Sequence, residues 1–376
     1  MAGYIFTLDS YDSLKEIIKN GVYSTNINIP KKNVWIPAHE GTFADYFSMK
    51  EGDNVYFFID RKIYGIGELV NVVDDCKLLN FPLADFPTSE SFADLKKKMI
   101  LNKSAFNLKN RFICTFKKSP YFFLNGVDMD DVLASNSKAF KMLRVLWKLS
   151  FIKIDDLENK ALFDYILKAN EQELIQVKDI FHAEEALHNR IKNLYSDGYK
   201  ATSKNIISLV ADAEYIRHEM AIEAAIIDYI SNHKRSIFGE WDYISHQVVA
   251  SPFKPVDYMD KMDIFGYRYI PGYSTISKYL TIEIKKDKAT EDVIHQIMKY
   301  VDWVNQEYSN SYDMIEAFVV AKEFPQEVIE LKNKIAKRVS TKGRRPAITI
   351  EWENLRLIKY AYDSNTKSIL FEEILE

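Results

Sequence analysis

Two β-rich runs, MDIFGYRYI (262–270) and KYLTIEIK (278–285), stand on either side of Pro271-Gly272. No other stretch of the chain constrains the fold so tightly. Pro-Gly interrupts a strand, so the two runs are expected to form a hairpin with its turn near Tyr273. A helical pattern, TEDVIHQIMKYVDWVNQEY (290–308), follows directly, and after it a further strand, MIEAFVVAK (314–322). A helix between two strands favours a right-handed crossover and therefore a mixed sheet. The helical pattern AEYIRHEMAIEAAIIDYISNH (213–233) precedes the hairpin, and QEVIELKNKIAK, LRLIKYAYD and SILFEEIL follow as one more helix and two late strands. Residues 213–376 thus read as one α/β unit.

The hairpin also concentrates chemistry. Folding it symmetrically about residue 273 sets Asp263 opposite Glu283, each ten positions from the centre. Glu283 and Lys285 are two apart, so both project from one face of their strand. A carboxylate pair makes a hard oxygen site for Mg²⁺, and Mn²⁺ would substitute; such a site leaves positions for water and a phosphate oxygen. Lys285 could orient or deprotonate the attacking water, or neutralise the scissile phosphate. A carboxylate of the preceding helix, Glu223, could hold a second metal or one of its waters. Gln296 and Tyr300 are four apart and share a helical face that would lie over the strand ends. An E-x-K pair alone is most often a surface ion pair; here the apolar Ile282 and Ile284 mark a buried strand emerging at its polar end.

Upstream, residues 1–125 alternate strand and helix. YIFTL is a strand, and SYDSLKEIIKNG is a helix capped by Ser10 or Ser13 and stopped by Gly21. NVYFFIDRKIYGIGELVNVV holds two β-rich runs around Asp60-Arg61-Lys62, and RFICTFK and YFFLNG add strands. A small curved sheet or barrel with helices at its edge is the economical solution. Over 126–212 the β pattern fades and helical spacing takes over, as in SKAFKMLRVLWKL, ENKALFDYIL and EEALHNRIKNLY, which suggests a helical connector.

The 376 residues are enough for two or three domains. No apolar run reaches the length of a membrane span, which excludes an integral membrane protein. The opening MAGYIFTLDS lacks the charged start and apolar core of a signal peptide, so cytoplasmic residence is expected. Cys76 and Cys114 cannot by themselves build a disulfide framework or a zinc knuckle. The net charge of −4 argues at first against a polyanionic partner, yet its distribution reverses that inference. Residues 101–150 carry nine basic and three acidic side chains, and 331–345 carry seven basic and none acidic, while 151–250 carry eleven and seventeen. Phe106, Phe112 and Phe116 interleave with Lys103, Lys109, Arg111 and Lys117, a pattern suited to a phosphate backbone with stacked bases.

The order Glu223, Asp263, E-I-K at 283–285 and QIMKY at 296–300 resembles the PD-(D/E)xK nuclease superfamily. Its Q-x-x-x-Y element is similar to that of RecB-type members, and MDIFG, LTIEIKK, HQIMKYVDW and LRLIKY are similar to the nuclease domain of mismatch endonucleases. The resemblance covers roughly 213–376. It implies a restriction-endonuclease-like mixed sheet flanked by helices, in which Asp263 and Glu283 ligate the metal and Lys285 serves the nucleophile. Gln296 would then position Lys285 or the phosphate, and Glu223 would be the helical acid. Met262 stands where the family has proline, which leaves Asp257 and Asp260 as rivals to Asp263; Glu219 rivals Glu223. At the other end, MKEGDNVYFFIDRKIYGIGELV (49–70) resembles the strand pair of PUA-superfamily barrels of the EVE and YTH kind. That implies a pocket for a flipped base, with Trp35 as its leading wall residue and Tyr56 or Phe58 as alternatives.

The expected protein is therefore a multidomain α/β chain: a PUA-like β-barrel with helices at 1–125, a helical connector at 126–212 and a nuclease domain at 213–376. It would hydrolyse DNA with Mg²⁺, reading a modified base before cutting, in the manner of host-defence restriction. Trp35, Tyr300, Lys342, Arg344 and Arg345 are the candidate nucleic-acid contacts. RNA stays open as a second substrate, no membrane partner is expected, and symmetric cutting of two strands would call for a homodimer. Repair of mismatched, flapped or branched DNA is the rival activity. A catalytically idle nucleic-acid-binding protein is the rival of another class, and the intact Asp263, Glu283 and Lys285 argue against it. No G-x-x-x-x-G-K-[ST] loop is present in the chain, so it encodes no nucleotide-driven translocation.

Overall fold

Apolar strand patterns at the two ends of the chain become two separate sheets in the computed structural model, which describes residues 1–25, 37–86, 88–140, 151–175, 185–233, 235–250 and 260–375. The chain divides into two units, Met1–Asn205 and Ile206–Glu376, each mixed α/β.

In the first unit β1 (Gly3–Thr7) leads into α1 (Tyr11–Asn20). Ser10 caps that helix by accepting the Ser13 amide at 3.2 Å, and Gly21 ends it in the left-handed conformation, φ 65°. Next come β2 (Val22–Thr25), α2 (Pro37–Phe47), β3 (Asn54–Ile59), β4 (Lys62–Leu69), β5 (Lys77–Leu79), α3 (Phe92–Leu95) and β6 (Phe112–Asp128). α4 (Met129–Ser135), β7 (Phe151–Ile154), α5 (Asp156–Ala169), α6 (Glu171–Ile175) and α7 (Ala186–Leu194) complete it. The strands form one sheet in the order β2-β6-β4-β3-β1-β7, with β5 also on β6. This is an open path, and no pairing among the described residues closes it into a barrel. The β3–β4 turn falls at Asp60 and Arg61, both at positive φ, where the sequence places it. β structure continues past residue 125: β6 runs on to Asp128, and β7 pairs antiparallel with β1. Leu162 and Ile166 of α5 pack with Ile5, Tyr56 and Ile63 in the core of this unit.

α8 (Ser203–Val210) carries the boundary between the units. β8 (Ala211–Asp212) and β9 (Tyr215–Ile216) form a small ladder before α9 (Glu219–Asn232). The main sheet is built from β10 (Tyr243–Val249), β11 (Lys261–Tyr269), β12 (Ile276–Lys288) and, after α10 (Glu291–Glu307), β13 (Ile315–Glu323). α11 (Gln326–Ile335), β14 (Arg338–Lys342), β15 (Ile348–Trp352), β16 (Leu355–Asp363) and β17 (Ser368–Glu373) follow. Its six strands run β10-β11-β12-β13-β16-β17, parallel at β12–β13 and β13–β16 and antiparallel elsewhere. A parallel pair cannot be joined by a tight turn, which is why α10 separates β12 from β13. α9 is apolar almost all round, from Ala221 to Ile230, and is correspondingly buried. β14 and β15 pair only with each other among the described residues. Their ribbon is tied down by Trp352 Nε1, which donates to Ile315 O at 2.9 Å, and by Arg338, which grips Asp302 with two bonds of 2.7 and 2.8 Å.

The β11–β12 hairpin has the register that symmetry about residue 273 predicts: Ile264 faces Ile282, Gly266 faces Leu280 and Arg268 faces Lys278. Gly266 is needed there, because a Cβ at this position would lie 2.7 Å from Tyr243 O on β10. Gly266→Ala should push β10 away and destabilise the second unit by about 1–3 kcal/mol, measured as a lower urea midpoint at unchanged slope. An unshifted midpoint would mean the strands are not packed this closely.

Candidate active site

The β11–β12 ladder starts at the Ile264–Ile282 pair, and one step beyond it stand Asp263 and Glu283. Alternation places these two on the face that also carries Phe265 and Tyr279. Tyr308, at the end of α10, covers that face with its ring 5.0 Å from Phe265. The opposite face carries Ile282 and its neighbour Phe318, which packs on Phe238 at 5.4 Å. Asp263 takes the place of a ladder bond, its Oδ2 accepting the Ile284 amide at 2.7 Å. Lys285 Nζ donates to Glu283 Oε1 at 2.7 Å.

A third acid joins them from α9. Gln247 of β10 donates through one nitrogen, Nε2, to Glu223 Oε1 at 3.0 Å and to Asp263 Oδ1 at 3.2 Å. Sequence reasoning missed Gln247; its signal was the polar pair His246-Gln247 inside the otherwise apolar strand YISHQVV. His246 Nδ1 lies 3.7 Å from Glu223 Oε2. Glu219, one turn earlier on α9, accepts the Lys286 amide at 3.2 Å. Of the rivals to Asp263, Asp260 is exposed and Asp257 lies outside the described residues.

Gln296 and Tyr300 do share a face of α10: Gln296 Nε2 donates to Tyr300 Oη at 2.9 Å, and that hydroxyl donates to Lys261 O at 2.8 Å. Tyr300, expected at the nucleic-acid surface, is instead buried at 3 % exposure, because the helix face that carries it packs on the sheet. Lys342, Arg344 and Arg345 are exposed at the tip of the β14–β15 ribbon. Trp35 lies outside the described residues. Tyr56, its alternative, is a core residue whose hydroxyl donates to Asn159 Oδ1 at 2.7 Å.

Burial dominates the electrostatics. It raises Asp263 well above the ordinary carboxylate range, and the charges of Glu223 and Glu283 add to the effect; the Ile284 amide and Lys285 oppose it. Burial likewise pushes Glu283 up to about 7, against the pull of Lys285 and with the help of Glu219 and Glu223. For Lys285 burial works against the ammonium, but Glu283, Asp263 and Glu219 outweigh it and its pKa stands above the usual value. Lys285 is therefore a cation at neutral pH. Among the described residues no three acidic, imidazole or thiol side chains form a ready cation cage. Within the site, however, Glu223 Oε2 and Glu283 Oε2 are buried without a hydrogen-bond partner, and mutually repelling acids of this kind suit a divalent cation.

No known family model matches the chain, and neither does any curated protein. Among solved structures, a repair endonuclease from Pyrococcus abyssi aligns at 20% identity with a TM-score of 0.21, over 34% of this chain and 46% of its own. The chain thus spans less than half the length of that endonuclease. A protein from Agrobacterium tumefaciens aligns at 12% identity with a TM-score of 0.27, over 45% of this chain and 92% of its own. Likenesses at such TM-scores do not establish a shared fold, and the site stands on its own geometry. No helix among the described residues is long and apolar enough to cross a membrane.

The Glu283 shift has a measurable consequence. A carboxyl raised from 4.5 to about 7 binds more protons folded than unfolded between those values, so stability falls as pH rises through that window. The melting temperature should drop between pH 5 and 8, and Glu283→Gln should flatten the slope. An equal slope in that variant would show that Glu283 is not the group responsible.

Proposed function

We propose that the second unit is a metal-dependent nuclease that hydrolyses phosphodiester bonds in DNA. One observation carries the reading: Glu223, Asp263 and Glu283 are gathered from three elements, close enough that their charges help raise the proton affinity of Asp263 and Glu283, with the cationic Lys285 beside them. Gathering like charges destabilises a fold unless a ligand uses them.

Asp263 and Glu283 would hold Mg²⁺ or Mn²⁺, which when bound acidifies a water and offsets charge on the phosphate. The chain's own groups supply the rest. The Ile284 amide and the Gln247 side chain each hold one oxygen of Asp263, which fixes the orientation of its carboxylate. Lys285, kept protonated by its acidic neighbours, serves the negative charge that builds on the phosphate; deprotonating water would require it neutral. Gln296, tied through Tyr300 to the start of β11, keeps α10 set against the strand that carries Asp263. The ribbon tip with Lys342, Arg344 and Arg345 suits the DNA backbone, to which exposed guanidinium and ammonium groups bind by displacing counterions. RNA carries the same phosphates and belongs among the substrates to test.

We place modification-dependent restriction ahead of repair on the sequence resemblance of the β3–β4 segment to base-reading barrels. The substrate panel separates them: purified chain with Mg²⁺ or Mn²⁺ against plain, cytosine-modified, adenine-modified and mismatched duplexes, with RNA as control. On whichever substrate is cut, Asp263→Ala, Glu283→Ala and Lys285→Ala should each lower the rate at least about a hundredfold. Retained cutting in Asp263→Ala would sink the site assignment. Removing Arg344 and Arg345 together should flatten the dependence of log affinity on log salt by about two; an unaltered slope would place the DNA elsewhere.

A further inference from the structure

Gln247 lies between His246, paired with Ile264, and Val248, paired with Met262, yet its backbone is left-handed at φ 51°. A non-glycine residue takes that conformation reluctantly and keeps it only where its surroundings impose it. Here the strain accompanies a specific arrangement. A primary amide has two N–H groups on one nitrogen, and Nε2 of Gln247 is within 3.0 Å of Glu223 Oε1 and 3.2 Å of Asp263 Oδ1. The second oxygen of Asp263 takes the Ile284 amide, and one oxygen of Glu283 takes Lys285. Two atoms are left over, Glu223 Oε2 and Glu283 Oε2, without hydrogen-bond partners on side chains only 2 % and 1 % exposed. The first has His246 Nδ1 near it at 3.7 Å, beyond hydrogen-bond reach, and a buried carboxylate oxygen without a hydrogen bond calls for a cation or a water bound to one.

We propose that Gln247 is a positioning residue for the divalent cation: by bridging Glu223 and Asp263 it fixes both carboxylates against their mutual repulsion and so raises the affinity of the site. The inference rests on the cation-binding carboxylate site of the nuclease reading, and it extends Gln247 from orienting one oxygen of Asp263 to coupling Asp263 with Glu223. Gln247 touches neither phosphate nor water in this scheme; it acts through the two acids.

The test is a calorimetric titration of the full chain with Mn²⁺ alone, without substrate, alongside thermal unfolding. Gln247→Ala should weaken Mn²⁺ binding by about tenfold or more, the loss typical when a group that orients a ligand is removed. Gln247→Gly should weaken it equally while melting at or above the wild-type temperature, since glycine is at ease at φ 51°. A merely structural residue would not separate affinity from stability in that way. If Asp263→Ala loses Mn²⁺ while both Gln247 variants bind within twofold of wild type, the inference falls and the cation site stands. If wild type binds no Mn²⁺, both fall together. Unfolding of both Gln247 variants would make it a folding residue and also overturn the proposal.

Discussion

Everything at the centre of the second unit depends on the register of one hairpin. Side chains alternate along a strand, so a slip of one residue between β11 and β12 would turn Asp263 and Glu283 to opposite faces of the sheet. The register is held from several directions. Pro271 and Gly272 fix the turn, a bulge between Arg268 and Tyr269 absorbs the odd residue, and the absent side chain at Gly266 lets β10 close in. Asp263 itself contributes, because its carboxylate occupies the Ile284 amide at the point where the β11–β12 ladder ends. The acid proposed to hold the cation is also part of what sets the strands.

The same centre shows how unfavourable terms are distributed. Three carboxylates in a largely buried site repel one another, and the raised proton affinities of Asp263 and Glu283 record first their loss of solvent and then that repulsion. One lysine and one glutamine offset part of it, the first by charge and the second by two hydrogen bonds. α9 carries Glu223 into an apolar environment, where solvent cannot help. Such an arrangement is a poor way to stabilise a fold and a direct way to prepare for positive charge.

Much of this unit was legible because its signals are local and countable. Pro271-Gly272 gave the centre of the hairpin, equal counting on either side gave the facing pair, and a four-residue spacing gave Gln296 and Tyr300 their common face. Gln247 was not legible, since a polar residue inside a strand looks the same whether it points to solvent or bridges two acids, and left-handed backbone leaves no mark on a glutamine. Tyr300 was read toward the ligand because periodicity finds a face of a helix but not what covers it. The alternation in β14 was hidden inside a basic run, of which the strand itself holds Arg338 and Lys342. In the first unit β7 is four residues long, too short to show a period, and the amphipathic pattern of α5 does not say which sheet it packs on.

The β14–β15 ribbon has one more implication. Two strands that pair only with each other among the described residues leave an open edge on each side, and Val339 and Ile348 are 65% and 61% exposed there. Bare edges with apolar side chains invite pairing with a neighbouring copy and, from there, aggregation. Lys342, Arg344 and Arg345 stand beside that hazard, where each approaching copy would bring the same positive charges. Like charges of this kind oppose such pairing, whatever part the three residues play toward nucleic acid.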